Sequence, residues 1–508
     1  MLKFFKQVVK VILSRTFVLI MLFLLQIAFL LYSIYEIGIL GINIYIIFLI
    51  LSIIAAVFII NRNFNPAYKI SWLLAIFALP FFGIFFYVLF GRLKVNKRSK
   101  RYLREGMKET ENFYKLTHND IDLEDKDFIK VSNYVTNTTS MPVFSNTASQ
   151  YLSPGEVAFP EIIKELKNAR KFIFLEFFII RYGKMWDSIY NVLKDKVKEG
   201  VEVRVIYDDF GCLNKLKNNF KKELIRNGIK VTSFNPIIPI LSSTINYRDH
   251  RKIIVIDGNV GFTGGMNISD EYINEIEVFG YWKDSVIKIT GEGVYSLTYL
   301  FLRMWKKCAK EDLKFANYAP TIRDVTDGFV QVFGDGPFTQ DLSTEMTYMQ
   351  IINEANHYVY ITTPYLILDN EVLTALKTAA LSGVDVRIIT PHIPDKKMVF
   401  MVTRSYYLEL IKAGVKIYEF TPGFIHGKTI VSDDSLGIVG SANFDFRSLY
   451  LHYEISCLLY DSSTILDIKN DFLKTTEISH QIEISEVKKN NIFKKILVAI
   501  LRAFSPMM

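Results

Sequence analysis

Three long stretches without a charged residue open the chain: 16–35, between Arg15 and Glu36; 38–60; and 70–91, between Lys69 and Arg92. At 1.5 Å per helical residue the second reaches about 34 Å, enough for the hydrocarbon core of a bilayer. Runs this long and this apolar are not expected of helices in a soluble core. The length of the first, with no small-residue cleavage site behind it, also argues against a signal peptide. The pattern predicts two membrane spans and a third inserted segment. In that third segment Pro80-Phe81-Phe82-Gly83 lies at the middle and can break and turn a helix. Residues 70–91 are therefore expected to dip in and return to the same side; a third simple span is the alternative.

Further along, short apolar, β-branched runs alternate with amphipathic helical patterns, and the series occurs twice. Ala169-Arg170-Lys171-Phe172-Ile173-Phe174-Leu175 is echoed by Ala355-Asn356-His357-Tyr358-Val359-Tyr360-Ile361. Gly200-Val201-Glu202-Val203-Arg204-Val205-Ile206 is echoed by Gly383-Val384-Asp385-Val386-Arg387-Ile388-Ile389, and the segment from Leu224 to Val231 by that from Leu410 to Ile417. Each half reads strand, helix, strand, helix, strand, then a hairpin. That order predicts an α/β fold, two duplicated α/β sandwich lobes with mixed sheets. The period is far above that of solenoid repeats, so a whole domain is duplicated. The expected division is 1–91 membrane region, 92–150 basic linker and lead-in, 151–318 first half, 319–486 second half, and 487–508 a basic amphipathic tail.

Both hairpins carry one pattern, H-x-K-x4-D-x6-G-[GS]-x-N. It runs from His250 through Lys252 and Asp257 to Gly264, Gly265 and Asn267. It recurs from His426 through Lys428 and Asp433 to Gly440, Ser441 and Asn443. One such match is weak; two with matching downstream residues are not. His and Lys two apart on a strand share a face. Asp257-Gly258-Asn259 and Asp433-Asp434-Ser435 are turn signals that return each Asn toward its His. Each copy then clusters imidazole, ammonium and amide at one strand end. Lys and Asn suit non-bridging phosphate oxygens and His suits the phosphorus. Two copies in one cleft supply both a nucleophile and a group that protonates the leaving oxygen. The other five histidines, His118, His357, His392, His452 and His480, sit in no comparable setting and read as ordinary.

Charge adds orientation. Lys3, Lys6, Lys10 and Arg15 precede the first span, and a dense run, Arg92, Lys94, Lys97, Arg98, Lys100, Arg101 and Arg104, follows the third segment. With a re-entrant third segment, every basic run and the catalytic region face the cytoplasm. A net charge of +8 suits an anionic lipid surface as well as nucleic acid. Cys212, Cys308 and Cys457 show no CxxC spacing and are read as reduced or buried thiols. No cluster of ligands along the sequence suggests a metal. Near the end, Ile492, Phe493, Ile496, Leu497, Ile500, Leu501 and Phe504 recur at helical spacing among Lys494, Lys495 and Arg502. That predicts a basic amphipathic helix lying on the membrane or a terminal helix packed on the domain.

The duplicated motif resembles that of the phospholipase D superfamily, and the chain, front included, resembles the bacterial cardiolipin synthases. Asn65-Pro66-Ala67-Tyr68-Lys69, Phe90-Gly91-Arg92, Thr363-Pro364-Tyr365, Arg404-Ser405-Tyr406-Tyr407 and Gly423-Phe424-Ile425-His426 carry the narrower likeness. Two departures stand out. His452 stands where that family usually has Asn, two before Glu454, and Ser285-Val286 follows Trp282-Lys283-Asp284 where a Thr-His pair is common. The resemblance implies a cofactor-free reaction in which two phosphatidylglycerols give cardiolipin and glycerol through a phosphatidyl-histidine. By analogy His250 is the nucleophile and His426 the acid/base. Lys252, Lys428, Asn267 and Asn443 hold phosphate oxygens, Asp257 and Asp433 orient or balance the pairs, and Glu271 and Glu454 are lesser candidates for orienting a His. The partners implied are phosphatidylglycerol and anionic membrane lipid, not nucleic acid, at a bacterial cell membrane. A phospholipase D hydrolase, or a phosphatidyltransferase with another acceptor, would use the same residues.

Overall fold

The structure, a computed structural model, describes residues 28, 32, 39–91, 106, 108–115, 117, 128–237, 246–322, 325–337, 342–487 and 492–507. Apart from positions 28 and 32, the expected first span lies outside these residues. So do His118 and the basic residues at 3–15, 92–104 and 488–489. The described residues form two compact units: one contains 39–91 and 500–507, the other nearly all of the rest.

In the smaller unit a helix of 22 residues, Ile39–Ile60, carries no charged residue. Its described side chains begin at Ile46, and among the described residues no helix is long and apolar enough to cross a membrane. Ile47, Ile54 and Val57 are more than half exposed, whereas Ser52, Ala56 and Ile59 are buried. The next helix, Pro66–Ala78, starts where the sequence dictates: the Asn65 side chain accepts the Ala67 N–H at 2.9 Å, and Pro66 occupies the first turn, where no N–H is needed. It stops at Leu79, which lies outside helical geometry (φ −138°, ψ 70°), and Pro80 opens a second helix, Pro80–Phe86, followed by a π-helical turn, Tyr87–Gly91. The chain doubles back there. The Trp72 and Tyr87 rings are 5.4 Å apart, edge to face, whereas fifteen residues of straight helix would separate them by about 22 Å. Gly83 permits the approach: a Cβ there would lie 2.5 Å from the Ala75 carbonyl oxygen and the Ile76 Cα. The chain's end joins this unit, with Ser71 Oγ donating to the Ala503 carbonyl at 2.7 Å and Met507 packing on Ile59, Trp72, Ile76 and Tyr87.

The larger unit holds two lobes of one design. The first contributes β1 (Thr147–Leu152), β2 (Phe172–Phe177), β3 (Glu202–Asp208), β4 (Lys230–Phe234), β5 (Arg248–Asp249), β6 (Lys252–Ile256), β7 (Val260–Gly264), β8 (Tyr281–Lys283) and β9 (Val286–Gly291). The second contributes β10 (Phe329–Asp335), β11 (Tyr358–Thr362), β12 (Asp385–Pro391), β13 (Lys416–Phe420), β14 (Gly423–Ile425), β15 (Thr429–Ser432), β16 (Leu436–Gly440), β17 (His452–Tyr460) and β18 (Ser479–Gln481). The sheet orders are β1-β9-β7-β6-β2-β3-β4 and β10-β17-β16-β15-β11-β12-β13-β18. These are the same order strand for strand, with β18 added at one edge. In each sheet the three strands joined by helices are parallel and the others antiparallel.

The sequence pattern anticipates β2 to β4, β6 and β7 and their counterparts. It does not anticipate the edge strands β1 and β10, or β9 and β17, which run beside the motif hairpins. The hairpin turns are as the residues predict: Asp257 (φ 53°) and Gly258 (φ 71°), and Asp433 (φ 50°) and Asp434 (φ 57°), adopt the left-handed pairs of a two-residue turn. The helices after β9 and β17 each reach the other lobe. Val294–Ala309 touches β10, and Thr464–Glu477 touches β1. The first is mostly buried; its Phe301 stacks on Phe174 with centroids 4.5 Å apart. Two small pairings also cross between the lobes, β5 with β17 and β8 with β14, both parallel.

Candidate active site

The cross-lobe pairings deliver the motif histidines. β5 runs into His250 beside His452 and Tyr453, and the His250 N–H donates to the Tyr453 carbonyl at 2.9 Å. β14 runs into His426 beside Trp282 and Lys283, and the His426 N–H donates to the Lys283 carbonyl at 2.7 Å. The next residue on each partner strand is an acid. Glu454 faces His250 Nδ1 at 2.9 and 3.0 Å; Asp284 faces His426 Nδ1 at 2.7 Å. Each imidazole is thus held by a carboxylate from the opposite lobe, and its Nε2 is left for chemistry. Both acids are fully buried. Ser441 Oγ also donates to Glu454. In the first copy that serine is Gly265, where a Cβ would lie 2.2 Å from Asp284 Oδ1. The G/S variation within the motif therefore follows the carboxylate it must accommodate.

Lys252 and Lys428 are buried beside their histidines, each Nζ donating to the carbonyl of the His two residues before it. Burial pushes Lys252 down to about 8 and Lys428 to about 7, against the pull of Glu454 and Asp284. Burial, then Lys252 and Lys428, holds His250 well below its ordinary range. Burial and Lys428 bring His426 to about 4, opposed by Asp284. Both imidazoles are uncharged at neutral pH, the state a nucleophile or base requires. An arriving phosphate meets two lysines ready to hold their protons more tightly and two neutral bases. That is an arrangement for displacement at phosphorus, with the carboxylates stabilising whichever imidazole becomes charged.

The remaining expected residues fall differently. Asp257 and Asp433 are at the far ends of their strands, roughly 23 Å from the histidines at 3.3 Å per residue. Asp257 accepts the backbone N–H groups of Arg170, Lys171 and Phe172 at 2.7–2.9 Å, and Asp433 those of Asn356, His357 and Tyr358 at 2.6–3.0 Å. They fix the turn against the start of the neighbouring strand and do not orient the His–Lys pairs, which corrects the expectation that the resemblance carried. Asn267 accepts from the Ile179 N–H at 3.0 Å and donates to the Tyr272 hydroxyl at 2.7 Å; Asn443 donates to Ser448 Oγ at 3.1 Å and Asp445 at 3.3 Å. Asn267 thereby uses one of its two amide hydrogens and Asn443 uses both. Glu271 pairs with Ser269 and Arg181, not with a histidine.

Asp284 was missed by the repeat. It follows Asn267 by a longer stretch than separates Glu454 from Asn443, so the two halves lose register there. His452, read as ordinary, has its ring centroid 5.5 Å from that of His250.

Two lobes of one topology, each with a buried His–Lys pair whose His is braced from the opposite lobe, define a phospholipase D-like fold built for phosphoryl transfer. The chain belongs to the family described as cardiolipin synthase, PLD-like domain, which matches residues 162–296 and 348–476. The description phospholipase D-nuclease N-terminal matches residues 50–92. The chain is 35% identical to a cardiolipin synthase of Alkalihalophilus pseudofirmus over 473 residues, 91% of this chain and 93% of that one. It is 40% identical to an uncharacterized protein of Streptococcus mutans over 459 residues, 89% and 99% of the two chains. Among solved structures, phosphatidylserine synthase of Haemophilus influenzae superposes with a TM-score of 0.55 at 16% identity, over 74% of this chain and 98% of that one, a likeness of fold.

Proposed function

We infer that the protein is a membrane-bound cardiolipin synthase that moves a phosphatidyl group from one phosphatidylglycerol to the hydroxyl of another. The observation that carries this is the paired site, two neutral histidines with two lysines, each His braced by a carboxylate from the opposite lobe, in a chain that aligns with cardiolipin synthases over nearly its whole length. When the anionic phosphate binds, His426 takes up a proton on Nε2, steadied by Asp284; in the first step His250 Nε2 attacks phosphorus, the bond to the headgroup oxygen breaks, and His426 gives that proton to the departing glycerol. In the second, His426 takes the proton of the incoming hydroxyl, whose oxygen displaces His250. Lys252, Lys428 and Asn267 hold the phosphate oxygens, and Asn443 joins them by exchanging its hydrogen bond to Ser448 or Asp445.

Residues 16–35 and 38–60 cross the membrane in this reading, and the doubled-back segment ending at Gly91 enters and leaves by the cytoplasmic side, where the catalytic lobes work. The outward apolar side chains of the helix Ile39–Ile60 and the turn at Leu79-Pro80 support it. Purified protein in phosphatidylglycerol vesicles is expected to yield cardiolipin and glycerol in equal amounts, with neither from His250→Ala or His426→Ala. Phosphatidic acid as the sole product would instead make water the acceptor and the enzyme a hydrolase.

A further inference from the structure

The two halves differ at one pair of equivalent positions beside the histidines. Two residues before Asp284 stands Trp282; two before Glu454 stands His452. Trp282 packs against His426 at 5.3 Å and His452 lies against His250 at 5.5 Å. The His452 side chain is 11% exposed, and neither ring nitrogen has a hydrogen-bond partner. Glu454 Oε1 lies 3.6 Å from its Nδ1, beyond hydrogen-bond length, on a carboxylate already held by His250 and Ser441. Ligand atoms of His250, His452 and Glu454 lie within 4.8 Å of one another, the one such set of three among the described residues. The other half, with an indole in place of the imidazole, has no counterpart.

We propose that His250, His452 and Glu454 form a binding site for a transition-metal ion of the zinc class, and that occupancy switches the enzyme off. Two imidazole nitrogens and one carboxylate are a donor set that suits Zn2+, while Mg2+ and Ca2+ prefer all-oxygen shells. Lys252 and Lys428 oppose a cation, but Glu454, Asp284, Asp249 and Asp208 surround Lys252 with negative charge. The switch follows from tautomer chemistry. A metal on Nδ1 of His250 moves the neutral ring's single N–H proton from Nδ1, where Glu454 accepts it, to Nε2. A protonated Nε2 has no lone pair for phosphorus. The switch, though not the site, rests on His250 acting as proposed above.

The test uses the full-length enzyme in detergent with phosphatidylglycerol and buffered free Zn2+, reading bound Zn2+ and cardiolipin formation separately. Wild type is expected to bind one Zn2+ as activity falls, to recover with chelator, and to ignore millimolar Mg2+. His452→Asn is expected to bind Zn2+ at least tenfold more weakly and to stay active where wild type is silent, with a melting curve to establish that it folds. His426→Ala, inactive but outside the site, is expected to keep the Zn2+. Equal binding by wild type and His452→Asn would overturn the site. Binding that disappears in His452→Asn while wild-type activity ignores Zn2+ would overturn the switch. If metal-free wild type makes no cardiolipin, the function itself is wrong, and the binding arm still judges the site.

Discussion

Asp284 and His426 are 142 residues apart in sequence and belong to different lobes, yet the carboxylate meets Nδ1 at 2.7 Å in a buried setting. Glu454 and His250 repeat the relationship in reverse. Neither pair can form unless the lobes are docked.

The pair gives a direct prediction. Asp284→Asn keeps the shape but removes the charge that steadies a protonated His426. Cardiolipin formation is expected to fall by roughly 10²- to 10⁴-fold in kcat with a small change in KM, as for a lost orienting carboxylate. Glu454→Gln is expected to act likewise on the first step. A kcat within a factor of three of wild type would reject the orienting role. The double variant should lose much less than the product of the two single losses, since each disables the same displacement.

Asp257 predicts the opposite outcome. It is the most conspicuous acid of the motif, but its partners are three backbone N–H groups. Asp257→Ala removes those bonds and also a residue type that tolerates φ 53°. A loss of about 2 kcal/mol of stability is expected, read as a lower melting temperature, with kcat/KM of the folded protein within about threefold of wild type. Asp433→Ala should match it.

These two cases also mark what sequence can and cannot say. The hairpins, the His–Lys pairs and the repeated strand-helix series were legible because local periodicity encodes them. The role that the resemblance implied for Asp257 fails because membership of the motif does not report which end of the strand meets the site; at about 3.3 Å per residue, seven residues lead away from it. Asp284 and His452 acquire their meaning only from β8 and β17 pairing with the strand of the other lobe, a long-range contact that leaves no periodic trace. Pro80 and Gly83, by contrast, announce a break that the backbone then makes.

The lysines set a pH dependence. Lys428 is brought to about 7 and Lys252 to about 8 by burial. Each is charged below that value and neutral above it, and a neutral lysine no longer holds a phosphate. In free enzyme kcat/KM is therefore expected to decline as pH rises through 7 to 8. With lipid bound, phosphate keeps the protons on, so kcat should decline at higher pH. On the acid side His426, near 4, remains a base to about pH 5. Lys428→Arg, always protonated, should shift the alkaline limb of kcat/KM upward; an unmoved limb would assign it to another group.

The turn at Leu79-Pro80 predicts a topology. In otherwise cysteine-free protein, Lys69→Cys and Arg92→Cys should both react with a membrane-impermeant thiol reagent from the cytoplasmic side of inverted vesicles, and neither from outside. Labelling from opposite sides would establish a simple span. Gly83→Leu, whose Cβ would meet the Ala75 carbonyl and the Ile76 Cα, is expected to force the two arms apart and lower the yield of folded enzyme.

The crossed bracing bears on how such a chain arises. Each half carries one histidine together with the acid that the other half's histidine needs. Two identical copies of a single half, arranged as the lobes are here, would own a complete reaction centre. In such a pair a change beside one histidine would be a change beside both. Carried on one chain, the halves can differ, and here an indole stands next to His426 and an imidazole next to His250.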